Sequence, residues 1–135
     1  MKFIKVESII NAPLSKVWNC WTNEAHIINW NFATSDWHCP TATNNLVVGG
    51  EFHYTMAAKA NSMSFDFWGT YKKVEFGKQI EILLGDDRQM SVTFDIADKG
   101  IIVTEYFEPG QENPVEMQQA GWQMILDNFK KYVEQ

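Results

Sequence analysis

Residues 2–10 are rich in β-branched and aromatic types and stop at Asn11-Ala12-Pro13, where proline ends a ladder and can open a helix. Val17, Trp18 and Trp21 then recur at helical spacing, and Thr22 is placed to cap a second short helix through about Ile28, with Glu24 in its first turn. The pattern predicts one strand followed by two short helices. Between residues 29 and 48 no period is sustained, and clusters of Asn, Asp, Pro and Thr predict a loop. That loop holds Trp30, Phe32, Trp37, His38 and Leu46, and so aromatic a loop is expected to fold back over apolar surface.

From Gly49-Gly50 onward the period is two. Phe52, Tyr54 and Met56 share one face of a strand, and Met63, Phe65 and Phe67 one face of the next. Pairing 56 with 63, 54 with 65 and 52 with 67 joins them in a hairpin whose loop is Ala57–Ser62, leaving Glu51, His53, Asp66 and Trp68 on the opposite face. A second hairpin turns at Gly85-Asp86-Asp87 and sets Ile80, Ile82 and Leu84 opposite Phe94, Val92 and Met90. A third turn, Asp98-Lys99-Gly100, leads into Ile101–Phe107. Gly49-Gly50 reads as a bend that lets the sheet curl.

Asn113 as cap and Pro114 as first helical residue open the last segment. In it Met117, Gly121, Trp122, Ile125, Leu126, Phe129, Tyr132 and Val133 fall on one stripe, a helix of about 30 Å. A sheet with one apolar face and a helix with one apolar stripe must cover each other, so the fold class is α+β.

At 135 residues the chain has the size of a single domain, 1–135. Aromatic residues make up 14%, beside six Met, enough wide and adaptable side chains for a core and for the wall of an apolar pocket. A net charge of -6, with basic doublets only at Lys72-Lys73 and Lys130-Lys131, argues against nucleic acid and anionic membrane as partners. The first residues show no basic stretch followed by an apolar one, so a cytoplasmic location is expected, with Cys20 and Cys39 as free thiols.

Ile10-Asn11-Ala12-Pro13-Leu14-Ser15-Lys16-Val17-Trp18 resembles the opening common to the START-like (SRPBCC, Bet v 1-like) superfamily. Gly49-Gly50-Glu51-Phe52, Gly69-Thr70-Tyr71 and Gly121-Trp122 followed by Leu126 and Phe129 resemble the family named after the activator of the heat-shock protein 90 ATPase. The resemblance covers essentially the whole chain. It implies a helix-grip fold, a curved antiparallel sheet of about six strands around the long C-terminal helix, and a cavity between them that takes an apolar small molecule. The stretch from Asn29 to Pro40 lies outside the general motif and is expected to mark a subgroup with its own ligand or lid.

The residues expected around such a ligand are Phe52, Tyr54, Met56, Met63, Phe65, Phe67 and Met90 from the sheet and Met117, Gly121, Trp122 and Ile125 from the helix. Trp30, Trp37 and His38 are expected at the pocket mouth, either as a lid or as a plug of the core. Glu105 shares the face of Ile101, Val103 and Phe107 and is the one candidate for acid-base chemistry; Asp66 reads as outward. His38 beside Cys39 lacks the further ligands a zinc site needs, and Gly49-Gly50 lacks the Lys-Ser/Thr of a phosphate loop, so no metal and no cofactor is expected. The expected function is binding of an apolar or aromatic small molecule. A cyclase, dehydratase or hydrolase acting on such a ligand, and a co-chaperone-like interaction module, are the alternatives.

Overall fold

Local pairing builds most of the sheet, because each hairpin lays a strand beside the one before it. The computed structural model describes residues 3–135, so Lys2 of the expected first strand lies outside the described residues. The elements are β1 (Ile4–Ile10), α1 (Leu14–Thr22), α2 (Glu24–Ile27), β2 (Trp37–Asn44), β3 (Glu51–Ala58), β4 (Ser64–Glu75), β5 (Gln79–Leu84), β6 (Gln89–Ala97), β7 (Gly100–Phe107) and α3 (Val115–Val133). Strands β2 to β7 form a meander and β1 returns to pair with β7, giving the order β1-β7-β6-β5-β4-β3-β2, antiparallel throughout. The sheet curls into a half-barrel with α3 along its concave side, the helix-grip α+β arrangement.

The sheet has seven strands where the periodicity counts about six. The addition is β2, within the stretch that reads as a loop. It carries Pro40 and a register shift between His38 and Thr41, features that interrupt alternation and are tolerated because β2 is an edge strand.

Both expected hairpin registers shift by two residues: Met56 faces Phe65, Tyr54 faces Phe67, Ile80 faces Val92 and Ile82 faces Met90. A slip of two keeps every side chain on its face, so alternation cannot detect it. Packing at Gly69 favours the observed register of the first hairpin. Gly69 stands opposite Phe52, and a Cβ there would come within 2.8 Å of Ile82 Cγ2 and 3.0 Å of the Phe52 ring. As a result Met63 drops out of the strand.

Two helix caps also move by one residue. Thr22 is the last residue of α1 and its hydroxyl donates to the Trp18 carbonyl at 2.8 Å, while Asn23 caps α2 by accepting from the Ala25 N–H at 2.9 Å. Pro114, not Asn113, precedes the first turn of α3, and the Gln118 amide ties that turn to Gly110 and Asn113. Gly49-Gly50 forms the turn into β3, where a Cβ on Gly50 would lie 2.2 Å from the Asn45 carbonyl oxygen; the irregularity within β4 falls instead between Tyr71 and Lys73.

Helix α3 carries two stripes. Leu126, Phe129 and Val133 are buried toward the sheet and α1. A second stripe meets the free edge of β1, where Gln119, Gln123 and Lys130 donate to the carbonyls of Lys5, Glu7 and Ile9, and the Glu134 carboxylate accepts from Asn11 N–H. These side chains occupy backbone acceptors that an edge strand would otherwise leave open. The helix thus leans on β1 and α1 and stands off from β3, β4 and β5.

Candidate functional site: a cavity between the sheet and helix α3

The gap left by that stance is a cavity of about 920 Å³, at the upper end of the roughly 300 to 1,000 Å³ of small-molecule sites. One end is closed by rings. Trp21 and Trp30 pack on Phe129 with centroids 4.9 and 4.8 Å apart, and the Trp30 indole N–H donates to the Cys20 carbonyl at 3.0 Å. The walls are Phe52, Tyr54, Met56, Phe67 and Tyr71 on β3 and β4, Ile80 and Ile82 on β5, Met90 and Val92 on β6, and Trp122 and Ile125 on α3. Trp122 lies flat on Phe107, with ring centroids 3.7 Å apart, and meets Phe67 edge-on at 5.8 Å.

The other end opens between the β5–β6 turn and the loop before α3. Phe65, Asp86, Arg88, Glu108, Glu112 and Gln118 stand around it. Arg88 is the chain's one arginine. Its Nε donates to Asp86 Oδ2 at 2.8 Å and its Nη1 to the Glu108 carbonyl at 3.2 Å, so this cation is largely engaged by neighbours.

Three sets of polar side chains line the interior. Tyr54 donates to Tyr71, whose hydroxyl donates to Asn44 Oδ1; Asn44 in turn donates to the Thr22 carbonyl and, through its backbone N–H, to Glu24. Burial pushes the Tyr71 hydroxyl up to about 12 and raises the buried Tyr54 well above its ordinary value, so both are neutral donors already in use. Asn31 is 6% exposed, and among the described residues its amide donates only to sulfur, to Met56 Sδ at 3.2 Å and Cys39 Sγ at 3.9 Å, both weak acceptors.

Glu105 is also 6% exposed. It stands between Val6 of β1 and Val92 of β6 on the concave face and lines the cavity. Among the described residues nothing donates to its carboxyl and no cation stands near, so burial alone pushes it up to about 8. No fully enclosed side-chain oxygen or nitrogen among the described residues lacks a partner, so the Glu105 oxygens reach open cavity space. At neutral pH this is a carboxylic acid with a free O–H donor.

The convex face treats acids oppositely. His53 Nδ1 lies 2.7 Å from Asp66 and Nε2 2.9 Å from Glu51, with the imidazole stacked on Trp68 at 5.3 Å. The Asp66 and Glu51 carboxylates raise the His53 pKa. No group of three or more His, Cys, Asp and Glu side chains among the described residues is arranged to hold a metal ion.

The family model for Activator of Hsp90 ATPase homolog 1-like proteins matches residues 11–134. The chain belongs to that family. An AHSA1-like protein of Aeromonas hydrophila is similar in structure, with a TM-score of 0.92, 42% identity, and coverage of 98% of this chain and 92% of that one. A Cytophaga hutchinsonii protein gives a TM-score of 0.84 at 45% identity over 98% and 92%. A Chromobacterium violaceum protein, at 20% identity and a TM-score of 0.87 over 100% and 99%, shares the fold. No curated protein matches the chain.

In this AHSA1-like chain Phe52, Tyr54, Met56, Phe67, Met90, Trp122, Ile125 and Glu105 line the cavity, Phe65 lies at its mouth, and Asp66 points outward. Trp30 lines the closed end and not the mouth, because its ring packs against both Trp21 and Phe129. Five expected residues lie elsewhere. Met63 is 60% exposed in the β3–β4 loop, a consequence of the two-residue slip, and Met117 is 59% exposed because it falls outside the stripe that begins at Gln118 and Trp122. Gly121 is off the lining, with open space where a Cβ would stand. Trp37 and His38 belong to edge strand β2 and do not line the cavity, although Trp37 supports the mouth by packing on Phe65 at 6.0 Å.

Asn31 and the mouth groups Arg88, Glu108 and Gln118 were absent from the sequence expectation. A polar residue in a stretch without period carries no signal of being buried. Tyr71, Ile80, Ile82 and Val92 were within reach, since each sits at the parity of a neighbour on the apolar face.

Proposed function

We propose that this protein binds one small molecule with a mainly apolar body in the cavity between the sheet and α3, and that it does so in the cytoplasm, with neither nucleic acid nor membrane as partner. The observation that carries this reading is the stand-off of α3: aromatic and aliphatic side chains surround an open space that packing would otherwise fill, since interiors close to crystal density leave few voids. Two buried free thiols, Cys20 and Cys39, accord with a reducing compartment. The reading is tested by native mass spectrometry of freshly purified protein together with titration by a naphthalene-sulfonate dye. The expected result is one bound molecule or one saturable dye site, abolished in Ile125→Trp, whose wide ring projects into the cavity, while circular dichroism stays native. Absence of both bound molecule and dye site in the wild type would overturn it.

A catalytic reading has one observation in its favour, the neutral carboxyl of Glu105 inside the cavity. Among the described residues no second titratable group meets it, so it supplies a proton donor without a paired base.

A further inference from the structure

Resting on the binding site just proposed, we infer that its ligand is a neutral aromatic molecule bearing a carbonyl, held by a hydrogen bond from the Glu105 carboxylic acid to that oxygen, with the Asn31 amide, which donates only weakly to sulfur, on the wall beside Met56. Both side chains are about nineteen-twentieths buried, yet neither has an oxygen or nitrogen partner among the described residues. Such groups are costly to enclose unless something completes them. They lie far apart across the curl, Glu105 on β7 and Asn31 against Met56 of β3, four strands away, and Phe52, Phe67 and Trp122 line the same cavity. The geometry fits a flat body among the rings with a polar atom at each margin.

Charge selects the class. Asp86, Glu108 and Glu112 outnumber Arg88 at the mouth, and Arg88 is held by Asp86, so a carboxylate ligand meets a negative entrance and no free cation. An ammonium would be drawn in, but inside it finds Glu105 and one free amide oxygen for its three donors, and a buried pair left short of partners does not recover its desolvation cost. A carbonyl needs a single donor, which Glu105 has. Among the described residues no charged side chain acts on Glu105: its strand neighbours are Val6 of β1 and Val92 of β6, and α3 lines the cavity with Trp122 and Ile125; the other titratable groups on the cavity are Tyr54 and Tyr71, both neutral, and the four charges of the mouth.

The test titrates four probes of one skeleton, acetylnaphthalene, ethylnaphthalene, naphthoate and naphthylethylamine, against tryptophan fluorescence, which Trp21, Trp30 and Trp122 report. Wild type, Glu105→Gln and Glu105→Leu are compared near pH 6, where the carboxyl is neutral. The ketone is expected to bind about ten-fold more tightly than the ethyl compound, the scale of one added buried hydrogen bond. Glu105→Gln, which keeps a donor, retains most of that ratio, and Glu105→Leu loses it. Raising the pH past about 8 removes the ratio in the wild type and not in Glu105→Gln. Equal binding of ketone and ethyl compound, or tightest binding of the amine or the acid, overturns the inference while leaving the cavity reading intact. Failure of all four probes to bind removes both. Should Glu105→Leu not fold, the Glu105→Gln pH comparison decides alone.

Discussion

At the closed end of the cavity Trp18, Trp21, Trp30, Phe94 and Phe129 pack ring on ring, with centroids 4.8 to 6.0 Å apart, and the Trp30 indole is committed to a backbone carbonyl. At the mouth Phe65 is 53% exposed and charged side chains replace rings. Similar aromatic residues serve both ends. The difference is in what each touches: the closed end receives α1, α2 and the loop after them, whereas the mouth lies between the β5–β6 turn and the loop before α3, with the first residues of β4 and α3 beside them. Burial at one end stabilises the fold, and incomplete burial at the other keeps the interior reachable.

Glu105 stands between these ends and gives the largest expected effect. Its folded pKa of about 8 lies above the ordinary 4.5, so the folded state keeps a proton that the unfolded chain releases. Stability from this group is therefore highest below 4.5, falls as pH rises through the interval to about 8, and is level above it. The full change is on the order of 5 kcal/mol at 1.36 kcal/mol per unit. Urea midpoints for wild type minus Glu105→Gln across that interval isolate it; a difference independent of pH would place the carboxyl in water.

Trp30→Ala breaks the closed end and is expected to cost about 3 to 5 kcal/mol, the range for buried aromatics, with loss of dye binding as the end opens. Trp37→Ala removes a half-buried ring that packs on Phe65, so about 1 to 2 kcal/mol is expected, with faster dye exchange. Equal losses for the two, read from denaturant midpoints, would erase the distinction between the ends.

The smallest effect belongs to the convex face. His53 gains stability from Asp66 and Glu51 that is present below its unfolded pKa of 6.5 and lost as pH rises through the raised folded value. All three side chains are largely exposed, so solvent screens the cluster and His53→Gln is expected to change stability by a few tenths of a kcal/mol at most. A proton-exchange midpoint for His53 at or below 6.5 by NMR would show that the carboxylates do not hold it.

The alternation of Phe52, Tyr54 and Met56, of Ile80 and Ile82, and of Ile101 to Phe107 determined which side chains share a face, Glu105 with Ile101, Val103 and Phe107, because period-two geometry fixes the face wherever a strand forms; that the face of Glu105 is the inner one was decided by the fold. The stripe of Trp122, Ile125, Leu126 and Phe129 determined the inner side of α3 in the same way. Tertiary structure decided the rest. Strand register came from loop length and the close contact at Gly69, since a slip of two leaves the pattern unchanged. Edge strand β2 was hidden by Pro40 and its bulge. Whether α3 fills the half-barrel or leaves a cavity depends on which strands it leans upon, and the hydrogen bonds that Gln119, Gln123 and Lys130 make along β1 set that stance through contacts more than a hundred residues apart.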